Sequence, residues 1–427
     1  MIGAVMFVLL IGLMFIGIPI AFSMGLSAVI MLLINATATP VAITTKAVNA
    51  LDSFTTMAIP FFMMASFILT GSNVGVKIFR FAGTAVRHLR GGLAHVNILT
   101  SMIMAGMSGS AVSDVSGIGR MEIEAMEDAG YDTDFSAAVT AASSTIAPII
   151  PPSTSCVLYG SITGVSIGAL LIGGLVPGII MGLLQMILSY FIAKKRGYSL
   201  QSKASRREVW VAFKDGFAAM MMPVILITGI LSGYFTPTEG ACVATVYSIF
   251  IGMFIYKTLT FKKLFKILMD TSVFAGATLF VLSMAAIFGM VLTHNQIPTK
   301  LTAFFLGLSD NKFVILLLLN ILLLILGMLM EGNAIYMIMG PILGMLAVEL
   351  GCNPVHFGIM VIFNLTLGLI TPPVGLCLFL TQKVAKITTS QMVKSIMPFV
   401  IMMIICLLII TYVPQLVTWL PSMFNLC

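Results

Sequence analysis

Two neighbouring stretches of the sequence concentrate oxygen-bearing side chains beside glycine and proline. The first, "MSGSAVSD", supplies the hydroxyls of Ser108, Ser110 and Ser113, the carboxylate of Asp114 and, at Gly109, a close approach to the backbone. The second, "AASSTIAPIIPPSTS", supplies further hydroxyls at Ser143, Ser144, Thr145, Ser153 and Thr154. Hard oxygen ligands of this kind suit sodium, and hydroxyl donors hold anions weakly. These stretches are therefore typical of a site for small ions.

The second half of the chain carries a related pair of stretches. "LGMLMEGNA" holds Glu331 and Asn333, and "TLGLITPPVGL" holds Thr366, Thr371 and Pro372. A carboxylate within an apolar stretch is costly and usually functional. Alternatives stay open for both halves. Serines in membrane helices also bond to their own turn or fill small-residue interfaces, and Glu331 also fits a shallow surface position or a protonated, hydrogen-bonded acid.

The composition indicates an integral membrane protein. Of the 427 residues, 59% are hydrophobic and 9% are charged, whereas soluble domains carry roughly 25% charged residues. Apolar runs of about 18 residues or more, long enough to cross a hydrocarbon core of about 30 Å, recur from end to end. No soluble domain fits between them.

Apolar runs bounded by glycine, proline or charge predict five membrane segments in each half of the chain. The first two are short for one crossing each, so a single tilted helix broken at Pro19 is an alternative. The predicted segments are 2–17, 19–35, 52–71, 134–161 and 167–194, followed by 217–235, 238–257, 270–292, 355–383 and 390–418.

Two further stretches, about 93–129 and 312–350, do not fit simple spans. Each has apolar arms about half a membrane long around a polar tip that contains glycine. We interpret both as re-entrant hairpins, which enter and leave the membrane on one side. Irregular backbone at membrane depth is tolerated only inside protein or beside water.

The distribution of lysine and arginine sets the predicted orientation. If the N-terminus is outside, 19 of the 22 lysines and arginines fall on cytoplasmic connections, and only Lys46, Lys300 and Lys312 fall outside. The positive-inside rule then predicts that both termini face the periplasm or its equivalent. A net charge of +7 therefore indicates orientation rather than nucleic-acid binding.

The two halves are predicted to form an inverted repeat. Five crossings plus one hairpin is an odd number, so the second half lies upside down relative to the first. At a constant offset of 221 residues, glycines and prolines coincide: Gly106 with Gly327, Gly119 with Gly340, Gly130 with Gly351, Pro151 and Pro152 with Pro372 and Pro373, and Pro177 with Pro398. The predicted fold is an all-α polytopic membrane protein, with repeats at 1–196 and 216–427 joined by a basic cytoplasmic linker at 197–215.

The paired prolines predict a broken helix in each repeat, at about 134–161 and 355–383. Breaking a helix inside lipid exposes N–H and C=O groups that need new partners. Half-helix C-termini and unwound carbonyls coordinate cations, whereas half-helix N-termini favour anions. Two breaks and two hairpin tips thus predict four elements that converge near the midplane.

The sequence contains no motif for ATP binding, metal binding or catalysis. The sequence has no G-x-x-x-x-G-K-[ST], and its four histidines have no metal-ligand spacing. The six cysteines are scattered through apolar segments and are typical of buried packing. No enzyme activity is predicted; a membrane-embedded hydrolase using Asp114 and Ser110 is the weakest alternative, because no histidine or lysine base lies nearby in sequence.

"NLTLGLITPPVGL" and "GMSGSAVSDVSGIG…GYDTDFSAAVTAASSTIAPIIPPS" resemble the large membrane subunit of tripartite ATP-independent periplasmic (TRAP) transporters, over essentially the whole chain. The resemblance implies a bacterial inner-membrane, sodium-coupled importer of organic acids. It also implies two partners, a four-helix small membrane subunit and a periplasmic substrate-binding protein, and an elevator mechanism in an architecture similar to the divalent-anion sodium symporters.

By this resemblance, at least two sodium sites join a hairpin tip to a helix break. The first site draws on Ser108, Gly109, Ser110, Asp114, Thr145, Pro148 and Pro151. The second draws on Gly327, Glu331, Gly332, Asn333, Thr366, Gly368, Thr371 and Pro372. The implied substrate contacts are Ser110, Ser153, Thr154, Asn333, Pro373 and Gly375.

The chain departs from the family pattern at two positions. Ala111 stands where the family often has a second serine, and Glu331 stands where aspartate is common. The general appearance is most similar to the sialic acid branch, and a C4-dicarboxylate branch stays open. A passive anion channel and a stand-alone anion/sodium symporter are the alternative functions, because helix ends also line pores.

Overall fold

We describe a computed structural model of the chain, which covers residues 2–34, 39–200, 202–309 and 311–426, with only the backbone described at 2–4 and at Leu306. Within these ranges the secondary structure is entirely helical. The first half contains α1 (Ile2–Phe15), α2 (Ile20–Ile34), α3 (Pro40–Leu51), α4 (Ala58–Gly71), α5 (Val74–Val86), α6 (Gly92–Ser108), α7 (Ala111–Asp114), α8 (Arg120–Asp128), α9 (Thr133–Ser144), α10 (Thr154–Thr163) and α11 (Ile167–Arg196).

The second half contains α12 (Arg206–Leu231), α13 (Pro237–Phe250), α14 (Phe261–His294), α15 (Ile297–Leu308), α16 (Lys312–Leu329), α17 (Gly332–Glu349), α18 (Pro354–Gly368), α19 (Leu376–Ala385), α20 (Thr389–Tyr412) and α21 (Gln415–Met423). Two π-helical turns, Val115–Gly119 and Ile251–Ile255, continue α7 into α8 and extend α13.

Among the described residues, seven helices are long and apolar enough to cross a membrane, and the pair α4 and α5, bent by 71°, makes up to eight. The membrane class predicted from composition is therefore confirmed. α1 and α2 pack against each other, because Gly17, at a φ of +92°, turns the chain ahead of Pro19. The alternative of one long tilted helix across Pro19 is wrong.

Both predicted hairpins are present as pairs of helical arms joined by a short turn. The re-entrant course stays a prediction, and the second pair of arms is longer than the predicted half membrane, because α16 and α17 have 18 residues each and are among the seven helices long enough to cross. α6 runs to Ser108, the chain turns at Gly109 and Ser110, and the helical arm from Ala111 to Asp128 returns beside it. In the second half, α16 and α17 form the two arms and meet at Met330 and Glu331. Each tip therefore brings a helix C-terminus and a helix N-terminus to one place.

Both predicted broken helices are present as well. α9 ends at Ser144 and α10 begins at Thr154, while α18 ends at Gly368 and α19 begins at Leu376. The segments between them hold the proline pairs, whose internal peptide bonds are both cis. α9 and α18 are almost wholly buried. The first break, 145–153, is buried as well, whereas Pro373 and Val374 of the second break are exposed.

Equivalent positions of the two halves adopt equivalent structures. Gly130 and Gly351 each end the second arm of a hairpin with a positive φ, of +82° and +58°, a conformation that glycine adopts without strain. Pro177 and Pro398 each lie inside a long helix, α11 and α20. The two halves are therefore structural repeats.

Hydrogen bonds and ion pairs tie the basic connections together at one end of the molecule, which we call the basic end. Arg196 Nη1 lies 2.8 Å from Asp132 Oδ2 and 2.9 Å from Asp134 Oδ1, and Ser395 donates to Asp134 Oδ2. Arg87 Nε donates to the carbonyl of Ser202 at 3.0 Å. The predicted grouping of the basic connections on one side agrees with these contacts.

Several boundaries differ from the sequence prediction. α3 and α15 were not predicted as segments, because helices of 12 residues with an amphipathic pattern are too short to span a membrane. α12 begins at Arg206, inside the range 197–215 taken as linker, since Ser205 and Glu208 form a capping box. The segment predicted at 390–418 ends at Tyr412, ahead of Pro414, and α21 follows.

Candidate functional site

The first tip is bonded directly to the first break. Thr154, at the start of α10, donates to the carbonyl of Gly109 from both its N–H, at 3.4 Å, and its hydroxyl, at 2.9 Å. Gly109 has a φ of +59°, and a Cβ there would lie 2.2 Å from the carbonyl oxygen of Pro152. Because only glycine satisfies both the φ and the space, the sequence at 109 fixes how closely tip and break approach.

The second tip meets the second break at closely packed glycines. A Cβ on Gly368 would lie 2.5 Å from the carbonyl carbon of Gly327, so the two backbones are in direct contact. Gly332, the first residue of α17, lies against Leu365 of α18. Each hairpin tip therefore packs on the helix break of its own repeat.

A cavity of about 40 Å³, the tip cavity, lies where both tips and both breaks meet. Eight of the predicted site residues line it: Gly109, Ser110, Pro148, Thr154, Glu331, Gly332, Asn333 and Thr366. Its other lining residues are Ala111, Val112, Ser155, Tyr336, Leu365 and Leu369. The convergence of four elements predicted from the sequence is therefore present.

Lining residues of the tip cavity pair up between the repeats. Ser110 and Glu331 are 221 positions apart, and the same offset relates Ala111 to Gly332, Val112 to Asn333 and Pro148 to Leu369. The cavity is therefore lined by equivalent positions of the two halves. Each repeat contributes seven of the fourteen lining residues.

Three helix N-termini line the tip cavity. They are the starts of the arm that begins with α7, of α10 and of α17, represented by Ala111, Thr154 and Gly332. Unpaired N–H groups and the aligned peptide dipoles make such ends favourable for anions. Gly109 and Thr366 also line the cavity, and they lie at the C-terminal ends of α6 and α18, where the negative end of the helix dipole favours cations. The cavity is therefore lined by helix ends of both polarities, some favourable for an anion and others for a cation.

A buried polar network lies behind the first tip. Ser101 Oγ lies 2.8 Å from Asp114 Oδ2 and 3.1 Å from Ser143 Oγ, and Ser143 donates to Asn97 Oδ1 at 2.8 Å. Within the described ranges, Ser108 Oγ and Asp114 Oδ1 are buried without a hydrogen-bond partner. Buried oxygens that lack a donor are costly in a protein interior. Two predicted cation ligands are thus available at this tip.

The second tip has a different polar arrangement. Asn333 Nδ2 donates to Glu331 Oε1 at 2.9 Å, and the Glu331 side chain is exposed. Deeper in the protein, Asn364 Nδ2 donates to Asn320 Oδ1 at 2.9 Å, while Asn320 donates to Thr411. The buried Asn364 Oδ1 has no partner among the residues described. Glu331 therefore faces the cavity opening, and the orphaned oxygen lies behind the tip.

The remaining predicted residues lie at the breaks without lining the cavity. Thr145 donates to the carbonyl of Ala142, Ser153 donates to that of Pro148, and Thr371 donates to that of Leu367. Ser153 also caps α10 by accepting from the N–H of Cys156. Pro151 is buried, Pro372 is half-buried and Pro373 is exposed, while Gly375 precedes α19 with a φ of +48°.

Sequence reasoning missed several residues of the site. Tyr336 is buried in the cavity wall, three positions after Asn333 and hence on the same face of α17. Asn97 and Ser101 of α6 carry the network behind the first tip, and Asn320 and Asn364 carry the second. These amides lie in apolar helices without a local motif, and only the fold shows that they are buried and hydrogen-bonded to one another and to neighbouring side chains.

Among the described residues, no group of three or more histidine, cysteine, aspartate or glutamate side chains is placed to hold a metal ion. The oxygen atoms at the tips come instead from hydroxyls, amides, single carboxylates and backbone. Oxygen atoms of this kind coordinate a hard monovalent cation better than a transition metal, and the hydroxyl and amide hydrogens can donate to an anion.

A family model described as "Tripartite ATP-independent periplasmic transporter, DctM component" matches residues 7–416. The chain belongs to this family. The resemblance inferred from the two motif blocks is thereby confirmed, and the chain is a large, multi-span membrane permease of a tripartite transporter.

Two curated relatives cover nearly the whole chain. The sialic acid TRAP transporter large permease protein SiaM of Vibrio cholerae is 39% identical over 414 residues, 97% of each chain. The C4-dicarboxylate TRAP transporter large permease protein DctM of the same organism is 37% identical over 441 residues, 98% of this chain and 97% of the relative. The chain is thus similar to permeases named for two kinds of organic acid.

A solved structure shares the fold. The Alcanivorax borkumensis YdaH transporter, described as having an unusual topology, superposes with a TM-score of 0.65 over 90% of this chain and 89% of that one, at 13% sequence identity. At so low an identity the likeness concerns the fold alone.

Proposed function

We propose that this DctM-family permease imports an organic acid anion together with sodium, in a complex with a small four-helix membrane subunit and a periplasmic substrate-binding protein. The observation that carries the proposal is the tip cavity, in which two hairpin tips and two helix breaks bring together eight residues chosen for ion chemistry from the sequence. Membership of a tripartite family supplies the two partners.

Sodium is proposed as the coupling ion, with at least two sites. At the first tip, Ser108 Oγ and Asp114 Oδ1 are buried oxygens without donors in the described chain, and a cation would satisfy both. At the second, Asn364 Oδ1 lies behind the tip and Glu331 lies at its surface. The helix C-termini of α6, α9, α16 and α18 add carbonyl oxygens and a favourable dipole.

The substrate carboxylate is proposed to bind the helix N-termini at the tip cavity. Ser110, Thr154 and Asn333 line it, each at or beside the first turn of a helix. The N–H and hydroxyl of Thr154 donate to the Gly109 carbonyl while tip and break are in contact. A volume of about 40 Å³ suits a water or an ion and is too small for an organic acid. We infer that substrate binding requires the tips to separate, in keeping with an elevator-type movement of hairpins and broken helices past the other helices.

The substrate is proposed to be sialic acid, with a C4-dicarboxylate as the alternative. One relative that covers the whole chain is named for each kind of substrate. The lining residues of the tip cavity recognise a carboxylate in either case, and the binding protein would carry much of the selectivity.

The basic end is proposed to face the cytoplasm of a bacterial inner membrane, with both chain termini in the periplasm. The contacts of Arg87, Arg196 and Tyr198 gather the basic connections at that end, and cytoplasmic loops are enriched in lysine and arginine.

Transport by purified components tests the proposal. Proteoliposomes that contain the chain, its small subunit and its binding protein should take up labelled sialic acid only with an inward sodium gradient. Uptake that is indifferent to sodium would reject the coupling. Flux that neither saturates nor needs the binding protein would favour a passive anion channel, and saturable uptake without either partner would favour a stand-alone symporter.

A further inference from the structure

A second, larger cavity opens at the end of the molecule opposite the basic end. It measures about 700 Å³, within the range of small-molecule sites of roughly 300 to 1,000 Å³. α3 and the turn after it form one wall, the last three turns of α14 form another, and α10 and α17 form the floor. We call it the Lys46 cavity after the cationic residue on its wall.

The side chains that line the Lys46 cavity include basic residues and no acidic ones. Its lining contains Lys46 and His294 and no aspartate or glutamate. Asn49, Ser53 and Ser161 add uncharged donors. A low-dielectric recess lined by one sign of charge concentrates ions of the opposite sign. The lining therefore favours a carboxylate over an amine or a neutral sugar.

Lys46 differs from the other two lysines predicted at this end of the molecule. Lys300 Nζ donates to the carbonyl of Asn295 at 3.1 Å, and Lys312 Nζ donates to the carbonyl of Gly351 at 3.0 Å. Lys46 takes part in none of the ion pairs formed by the described residues, and its side chain is exposed. Its ammonium group is thus available to a ligand.

A neighbouring cavity of about 610 Å³ has the opposite character. It shares Ile162 and Pro341 with the Lys46 cavity, but Glu349 is the charged residue on its wall. A carboxylate that approached this end would be attracted to Lys46 and repelled from Glu349. Of the two openings, the Lys46 cavity is the one suited to an anion.

The floor of the Lys46 cavity is built from the same helices as the tip cavity. Ser161 lies seven residues after Thr154 on α10, about 10 Å along the helix, and Met337 lies four residues after Asn333 on α17, about 6 Å along. α14 forms the facing wall. The recess therefore lies directly above the proposed substrate contacts.

We propose that the Lys46 cavity is an entry site at which the carboxylate of an organic acid pairs with Lys46 before it reaches the tips. This inference rests on the proposed function for the identity of the ligand and on the cavity itself for its charge selectivity. The two parts are therefore tested by separate measurements.

The charge selectivity is tested without substrate or binding protein. Ser161→Cys is labelled with an anionic and with a cationic thiosulfonate, each corrected for its rate with a free thiol and for labelling of the unsubstituted chain. The anionic reagent should react faster, and adding Lys46→Gln should lower the anion-to-cation ratio about fivefold at low salt. Lys46→Arg should keep the ratio. Lys300→Gln, at the same end but outside the cavity, should leave it unchanged.

A second reporter controls for the reagents. Thr299→Cys, on the wall of the neighbouring cavity with Glu349, should prefer the cationic reagent and should not respond to Lys46→Gln. A ratio at position 161 that ignores Lys46→Gln would overturn the assignment of the cavity to anions.

The entry role is tested by uptake in the complete complex. Lys46→Gln should raise the half-saturating concentration of loaded binding protein about fivefold with little change in maximal rate, and Lys46→Arg should restore it. If labelling responds to Lys46 but uptake does not, the cavity holds anions away from the transport path and the entry role is wrong. If no variant transports an organic acid while labelling still responds, the proposed function fails and the charge selectivity stands.

Discussion

Gly327 of the second hairpin and Gly368 of the second broken helix are in direct backbone contact, so that a Cβ on Gly368 would lie 2.5 Å from the carbonyl carbon of Gly327. No side chain separates the tip from the break. The first repeat reaches the same closeness differently, through the Gly109 carbonyl that Thr154 holds by two hydrogen bonds. In both repeats, glycine at the contact sets the distance between the backbone of the tip and that of the break.

Gly368→Ala should therefore damage transport more than any other alanine substitution of a helical glycine near the second tip. The added methyl group must displace backbone rather than a flexible side chain, at a cost of about 2 kcal/mol, and it would move Gly327 away from the break. We expect sodium-driven uptake to fall at least tenfold. Gly276→Ala in α14, where a Cβ meets nothing within 4 Å, is the matched control and should transport normally. Equal activity of the two variants would contradict the contact.

Thr154→Val tests the bond between the first tip and the first break. The variant keeps the shape of the side chain and removes the hydroxyl that donates to Gly109 at 2.9 Å, a loss of about 1 kcal/mol. Uptake should fall about fivefold to tenfold while the complex still assembles. The control is Thr163→Val on the same helix, because the Thr163 hydroxyl donates only to Tyr159 of its own turn. If both variants lose activity alike, the effect belongs to α10 and not to the tip.

The sequence identified both hairpins, both breaks and most of the cavity lining, because glycine and proline within apolar stretches leave few structural alternatives. Gly109 illustrates this, because its φ of +59° and its distance from Pro152 require glycine. A glycine at this position in the sequence therefore indicates the local backbone geometry. The offset of 221 residues then extended the prediction from one repeat to the other.

Other parts of the site could not be read from the sequence, because they depend on packing between distant elements. Asn97 and Asn320 lie in apolar helices with no local motif, and only the fold brings them to Ser143 and Asn364. α3 and α15 are amphipathic and short, so a search for membrane-length runs passes over them. The Lys46 cavity was missed for that reason, since α3 supplies its cation.

Ser108→Ala should weaken the dependence on sodium rather than abolish folding. Ser108 Oγ is buried without a partner in the described chain, so its removal sacrifices no internal hydrogen bond, and only a bound cation would lose a ligand. We expect the half-saturating sodium concentration to rise about tenfold, equivalent to about 1.4 kcal/mol of binding free energy, with thermal stability in the absence of sodium unchanged.

The control for Ser108→Ala is Ser248→Ala in α13. Ser248 is also fully buried, but its hydroxyl donates to the carbonyl of Ala244 in the preceding turn. Its loss should leave the sodium dependence as it is. A sodium titration of uptake separates the two cases, and an unchanged midpoint for Ser108→Ala would remove this residue from the proposed sodium site.

Tyr198, in the connection after α11, offers a prediction about pH at the basic end. Its hydroxyl donates to Asp132 Oδ2 at 2.7 Å, and its ring lies 4.3 Å from that of Tyr131. Burial, together with the hydrogen bond to Asp132, raises the pKa of Tyr198 to about 12. Since the folded-state pKa lies above the ordinary value of about 10, the stabilisation is complete below pH 10 and is lost as the pH rises through 12.

Tyr198→Phe should accordingly lower the free energy of unfolding by about 1 kcal/mol at pH 7.5, and the difference from the unsubstituted chain should shrink between pH 10 and pH 12. Thermal unfolding of the purified protein at pH 7.5 and at pH 11 measures both values. Tyr234→Phe is the control, because Tyr234 is exposed and its hydroxyl should make no difference at either pH. Because phenylalanine keeps the ring that packs against Tyr131, a destabilisation by Tyr198→Phe that persists unchanged at pH 11 would mean that the hydrogen bond to Asp132 does not account for the effect.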